Sequence, residues 1–187
     1  MKPLLVSSVP GSGLHFTQEL CRKVMGYKLA TDYHNPSRAR PPNSRMWALH
    51  PYQFNDGQRV FEKVVIPMRS PETVMLTRHN RSHGSIEEMV EAWKMQIALA
   101  ECHEPFFLMI EEYKSVIARI TAMWRLSYYL DFMPDRRDVS IWAQNWTPAG
   151  SQASHLKAER PSRIPDSDRG KLQFAQDFYD ARKSEIK

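Results

Sequence analysis

Short apolar runs alternate with longer stretches of helical periodicity along most of the chain. Leu4-Leu5-Val6 is the first run and reads as a buried strand. A helical pattern follows, with Phe16, Leu20 and Val24 on one face and Cys21 and Met25 beside them. Arg45 to His50 reads as a second strand, stopped by Pro51. Phe61 to Met68 reads as a third, apolar almost throughout its centre, as in a parallel sheet covered on both faces. Ser70-Pro71-Glu72 is a helix start (cap, proline, acid), predicting a helix from Pro71 to about His79. Ser85-Ile86-Glu87-Glu88 has the form of a capping box and opens a helix to about Cys102, with Met89, Trp93, Ile97 and Ala100 at helical spacing. Phe106 to Ile110 is a fourth strand, and a helix runs from about Ser115 to Leu130. Pro134 to Asp138 reads as a turn, and Val139 to Trp142 as a last strand or an irregular segment. Gln144 to Pro165 reads as a polar loop, and Asp166 to about Lys183 as a terminal helix. Strands alternating with helices predict an α/β fold with a central, mostly parallel sheet and right-handed crossovers.

Composition narrows the class. The 187 residues suit one domain spanning 1–187, and the apolar (42%) and charged (25%) fractions are those of a chain that buries a core. No apolar run approaches the roughly 20 residues that span a bilayer, and no signal-peptide pattern opens the chain, so the expected setting is cytoplasmic and away from membranes. Cys21 and Cys102 lie on helical patterns and read as small buried residues, with no spacing for a metal. A net charge of +5 is a mild excess that suits an anionic ligand. Aromatic and basic residues do not interleave as in RNA-binding proteins, so no nucleic-acid partner is expected. Asp32 to Ser44, rich in Pro, Asn, Ser and Arg, reads as a loop or lid whose arginines either face solvent or close over an anion.

The chemistry gathers at the first strand-to-helix turn, Val9-Pro10-Gly11-Ser12-Gly13-Leu14-His15-Phe16-Thr17. Gly11 and Gly13 permit dihedrals that other residues avoid. Amides of such a turn converge at a helix N-terminus, where the dipole favours an anion. The turn is not a Walker A loop, because Ser8 stands at the first glycine and Leu14 at the lysine. Ligands of open α/β sheets sit beyond the carboxyl ends of the strands. That rule sets the glycine turn, His50, Arg69 and Glu111 along one rim.

Pro10, Ser12, Gly13 and Phe16 resemble the 5′-phosphosulfate loop of the sulfotransferase family, with Gly11 where that family has Lys or Arg, and Leu14 and His15 where it has hydroxyl residues. Arg69, Pro71 and Thr77 are similar to the family's 3′-phosphate segment, an arginine with a hydroxyl residue eight positions on. Ala48-Leu49-His50-Pro51 resembles the strand end that carries the family's general base, and Phe107 to Tyr113 is similar to a later strand in which acid and aromatic are exchanged in order. The resemblance covers roughly residues 4 to 130. It implies a three-layer, P-loop-like domain and transfer of a sulfuryl group from 3′-phosphoadenosine 5′-phosphosulfate to a hydroxyl or amine acceptor, small or polymeric, without a metal. It further implies that Pro10, Gly11, Ser12, Gly13, Leu14, His15 and Phe16 form the 5′-phosphate loop, that Arg69 and Thr77 hold the 3′-phosphate, and that His50 is the base. Read from the residues alone, His50 is equally a cap on its strand, and His15 is a second candidate for the chemistry. Arg38, Arg40, Arg78, Arg81 and Lys157 are the cations open to stand in for the missing one at Gly11. Two other readings stay open: a non-catalytic protein on the same fold, and a divergent P-loop kinase, which would need a phosphate-binding lysine that the loop lacks.

Overall fold

The structure is a computed structural model that describes residues 3–31, 46–53, 61–79, 85–110, 115–146 and 164–186. Five parallel strands form the centre: β1 (Leu4–Ser7), β2 (Leu29–Thr31), β3 (Met46–Leu49), β4 (Lys63–Met68) and β5 (Phe106–Met109). Their spatial order is β2-β3-β1-β4-β5. Leu4 and Val6 of β1 register with Met46 and Ala48 on one side and with Lys63 and Val65 on the other. Every residue of β1 is buried, which is why its apolar residues run without alternation.

Seven α-helices among the described residues flank the sheet: α1 (Leu14–Lys23), α2 (Pro71–His79), α3 (Ile86–Cys102), α4 (Val116–Tyr129), α5 (Arg136–Asn145), α6 (Asp166–Lys171) and α7 (Gln173–Glu185). Two cores follow from the pleat. Leu4 and Val6 face Leu14, Phe16, Leu20, Met123, Leu126 and Val139 of α1, α4 and α5. Leu5 faces the opposite layer, where Val74, Met89, Trp93, Ala175 and Tyr179 of α2, α3 and α7 pack. The three-layer α/β architecture expected from the alternation is therefore the one observed.

The helix after β1 lies on one face and the helix after β4 on the other. Neighbouring strands whose crossovers diverge in this way open a crevice at their carboxyl ends. That crevice is bounded by the glycine turn after β1 and by Arg69 after β4.

Several expectations need correction, among them the turn Pro134 to Asp138, which runs into α5 from Arg136. The segment Val139 to Trp142 is helical, within α5. Asp135 caps this helix by accepting from the Arg137 amide at 2.6 Å, and Val139 and Ala143, four apart, form its buried stripe. A short apolar run does not by itself separate strand from helix. The terminal helix is two helices, broken at Leu172, whose side chain is buried in the α2/α3 layer. The sheet also has an edge strand, β2, that the pattern of apolar residues did not announce; three residues are too few to show a period. The capping box at Ser85 is present, Ser85 Oγ accepting from the Glu88 amide at 3.2 Å and Glu88 accepting from the Ser85 amide at 3.1 Å. The expected lid at 32–44, the turn at 55–57 and the residues 147–163 of the polar loop lie outside the described residues.

Cys21 is buried and Cys102 exposed, so only one of the two expected burials is observed. Burial pushes the Cys21 thiol up to about 12. Its folded value lies above the unfolded one, so the folded state holds this proton more tightly. The linked stability is present below about pH 9 and is lost as pH rises toward 12. Unfolding measured from pH 8 to 11 should show this decline, and Cys21→Ala should flatten it. Asp135→Ala should lower stability by about 1 kcal/mol in urea unfolding, as expected when a capping side chain is removed.

Candidate functional site

The turn between β1 and α1 is held open by backbone conformation. Gly11 has φ +92° and Gly13 has φ +102°. The Ser12 amide donates to the Val9 carbonyl at 3.0 Å, which closes the turn and takes that amide out of the set available to a ligand. Thr17 fastens the other side, both its amide and its hydroxyl donating to the Gly13 carbonyl, at 3.0 and 3.1 Å. Gly13 is the N-cap of α1, no side chain caps the helix, and its first turn has no acidic residue. The first amides of α1 and its dipole thus favour an anion, and no acidic side chain of the helix's own first turn supplies one.

Neighbouring elements set how close the turn lies to the sheet. A β-carbon built on Gly13 would stand 2.5 Å from Cγ1 of Ile110, just after β5. A β-carbon on Gly11 would stand 3.6 Å from Cγ1 of Val74 on α2. The helix that follows Arg69 therefore flanks the glycine turn directly.

Three serine hydroxyls belong to this region. Ser7, Ser8 and Ser12 are buried, and none of their Oγ atoms has a hydrogen-bond partner among the described residues. Unsatisfied buried hydroxyls are costly and uncommon. Ser7 ends β1, and Ser8 and Ser12 stand at the glycine turn that follows it.

His50 follows β3, the neighbour of β1, and is buried. Its Nδ1 lies 2.8 Å from the Ser8 carbonyl oxygen. A carbonyl only accepts, so Nδ1 carries a proton, and in the neutral ring the basic lone pair is on Nε2. The 3₁₀ turn Pro51–Gln53 frames the residue. Gln53 accepts from the His50 amide through Oε1 at 2.9 Å, and its own amide donates to the His50 carbonyl at 2.9 Å. Tyr52 stacks on the imidazole with ring centroids 5.5 Å apart. His50 is thus tied to the backbone that leads into the glycine turn.

The remaining expected residues are distributed as follows. Pro10 is half-buried and Gly11 exposed, while Leu14 is buried under the turn. His15 is exposed in the first turn of α1. Phe16 points its side chain into the core, edge-on to Trp146 at 4.9 Å and tilted to Trp142 at 5.5 Å, and so anchors α1. Arg69 leaves β4 half-buried at the same rim, and the Ser70 hydroxyl accepts from the Thr73 amide at 3.3 Å to start α2. Thr77 falls within α2, its side chain outside what is described. The basic residues of α1, Arg22 and Lys23, lie at its far end and pair with Glu19, each at 2.9 Å. Of the candidate substitute cations, Arg38, Arg40, Arg81 and Lys157 lie outside the described residues, as does the side chain of Arg78; so do Glu111, Glu112 and Tyr113.

Sequence reasoning did not single out Ser7 or Ser8 as ligand-facing, nor Tyr52 and Gln53. These roles depend on contacts between β1 and β3, 42 residues apart for the His50–Ser8 bond, which no local pattern encodes. No protein-family model matches the chain, and no curated protein matches it.

The two glycines should respond differently to substitution. Gly11→Ala should cost about 1–2 kcal/mol, the strain of a side chain at positive φ. Gly13→Ala should cost more, because its methyl also overlaps Ile110. Equilibrium unfolding of both variants reads the order; equal losses would contradict the close approach.

Proposed function

We propose that the protein transfers a sulfuryl group from 3′-phosphoadenosine 5′-phosphosulfate to a hydroxyl or amine acceptor. The observation that carries the reading is the 2.8 Å contact between His50 Nδ1 and the Ser8 carbonyl. It joins a basic side chain to an anion-binding turn whose own hydroxyls have no partner among the described residues. In this reading the amides of Gly11, Gly13, Leu14 and His15 hold the 5′-phosphate, with the Ser8 and Ser12 hydroxyls as further donors. Arg69, at the mouth of the β1/β4 crevice, meets the 3′-phosphate through its planar, two-pronged guanidinium, together with Thr77.

The chemistry asks for positioning and charge stabilisation more than for covalent participation. The acceptor oxygen or nitrogen bonds to sulfur while the bond from sulfur to the bridging phosphate oxygen breaks. Its proton passes to Nε2 of His50, and 3′-phosphoadenosine 5′-phosphate departs. The proton on Nδ1 stays with the Ser8 carbonyl and fixes the ring orientation for that transfer. His15, exposed on the first helical turn, is the second side chain able to reach a sulfuryl oxygen.

Gly11 favours a second reading, a protein that binds the nucleotide without turning it over. Absence of a cation that stabilises the leaving oxygen costs about 10²–10³ in rate. The φ of +92° means that a basic residue placed there is strained. Donor turnover that is abolished by His50→Ala excludes this second reading.

Titration calorimetry tests the site. 3′-Phosphoadenosine 5′-phosphate should bind with micromolar affinity, and AMP and ATP much more weakly. Arg69→Ala should weaken binding by roughly 10- to 150-fold, the loss of about 1.5–3 kcal/mol from a charge-assisted contact. Equal binding of AMP and the bisphosphate, or no binding of either, would sink the assignment.

A further inference from the structure

His50 is held at two places, and the second is an aromatic ring. The Ser8 carbonyl takes a hydrogen bond from Nδ1 at 2.8 Å and so fixes one edge of the imidazole. One hydrogen bond leaves the plane of a ring free to rock, because the terminal torsion of a histidine side chain is broad and roughly two-fold. The Tyr52 ring constrains that plane. It lies over the imidazole with ring centroids 5.5 Å apart and an interplanar angle of 28°. Burial in the core does not account for this placement. Tyr52 is 56% exposed and belongs to neither apolar core, whereas His50 is only 8% exposed. The ring that stands half in water covers the ring that does not.

The backbone that carries both rings is itself held. Pro51 is buried, and its own ring fixes φ at the start of the turn. The Gln53 amide donates to the His50 carbonyl at 2.9 Å, and the His50 amide donates to Gln53 Oε1 at 2.9 Å, so His50 and Gln53 are bonded to each other twice. α3 packs against the same turn. Tyr52 therefore rides on a fixed segment, with its ring turned back onto the residue that precedes the turn. We infer that Tyr52 is a positioning residue for His50. Its ring sets the plane of the imidazole and the Ser8 carbonyl sets its edge; together they hold the proton on Nδ1 and the basic lone pair on Nε2. The use of that lone pair in proton transfer rests on the sulfotransferase reading, whereas the tautomer itself does not.

NMR of the imidazole nitrogens in the full chain reads the tautomer without reference to activity, the His50 signals being assigned by their loss in His50→Gln. At a pH where the ring is neutral, the wild-type protein should show a protonated Nδ1 and an unprotonated Nε2. Tyr52→Ala should move both nitrogens toward the averaged values of a free imidazole. Tyr52→Phe keeps the ring and should leave them in place. His103, the C-terminal cap of α3, is the internal reference and should not respond. Tyr52 is exposed, so both variants keep their fold, which circular dichroism checks. With 3′-phosphoadenosine 5′-phosphosulfate as donor and p-nitrophenol as acceptor probe, Tyr52→Ala should lower kcat by about 10-fold, a part of the roughly 10²–10⁴ that a positioned base contributes. The KM for the donor should be unchanged, and Tyr52→Phe should stay near wild type. His50 signals that ignore Tyr52→Ala overturn the inference, and so does a Tyr52→Phe variant that behaves as Tyr52→Ala. A wild-type chain that fails the nucleotide titration above, while its imidazole still follows Tyr52, keeps the positioning and loses the sulfotransferase reading.

Discussion

The close approach of Gly13 to Ile110 governs the site. With a methyl's worth of space removed, the turn after β1 lies flat against the end of β5, and α1 begins directly over the sheet. The features on which the proposed anion site rests follow from that placement. The first amides of α1 point outward at the rim, the Ser12 amide is turned back onto Val9, and the carbonyl of Ser8 is left where His50 can reach it. Phe16, wedged against Trp142 and Trp146, fixes the helix from the opposite side. The turn is held by contacts from β3, β5, α2 and α5, none adjacent to it in sequence.

Much of this was legible in the residues. The continuous apolar runs of β1 and β4 identified buried parallel strands, because a sheet covered on both faces has no reason to alternate. Ser70-Pro71-Glu72 and the Ser85 capping box marked helix starts through local chemistry, and local chemistry is what one sequence reports well. The errors share a cause as well. Val139 to Trp142 is too short for its period to be read, and the cap that decides it, Asp135, lies in what looked like a turn. β2 exists only because Leu29 pairs with Met46 across 17 positions, and nothing in Leu-Ala-Thr itself demands a strand.

The site shows the same division. Gly11, Gly13, His50 and Arg69 could be named because glycine and titratable residues at strand ends have few other uses. Which of them touch could not. His50 bonds to the carbonyl of Ser8 and not to its side chain, and a backbone atom leaves no mark on residue identity. Phe16 belongs to the motif by position but to the core by packing. No helix among the described residues is long and apolar enough to cross a membrane.

The central position of β1 has a consequence for how the protein is made. It is synthesised before both its neighbours, β3 from residue 46 and β4 from residue 63. The residue that presses on Gly13 comes later still, at position 110. On a ribosome β1 and the glycine turn emerge before these partners and wait, unpaired, until Ile110 has followed. Parallel pairings of this kind form slowly because distant segments must meet first. The turn is thus made before the residues that shape it, and during that interval the apolar run Leu4-Leu5-Val6 is exposed to aggregation.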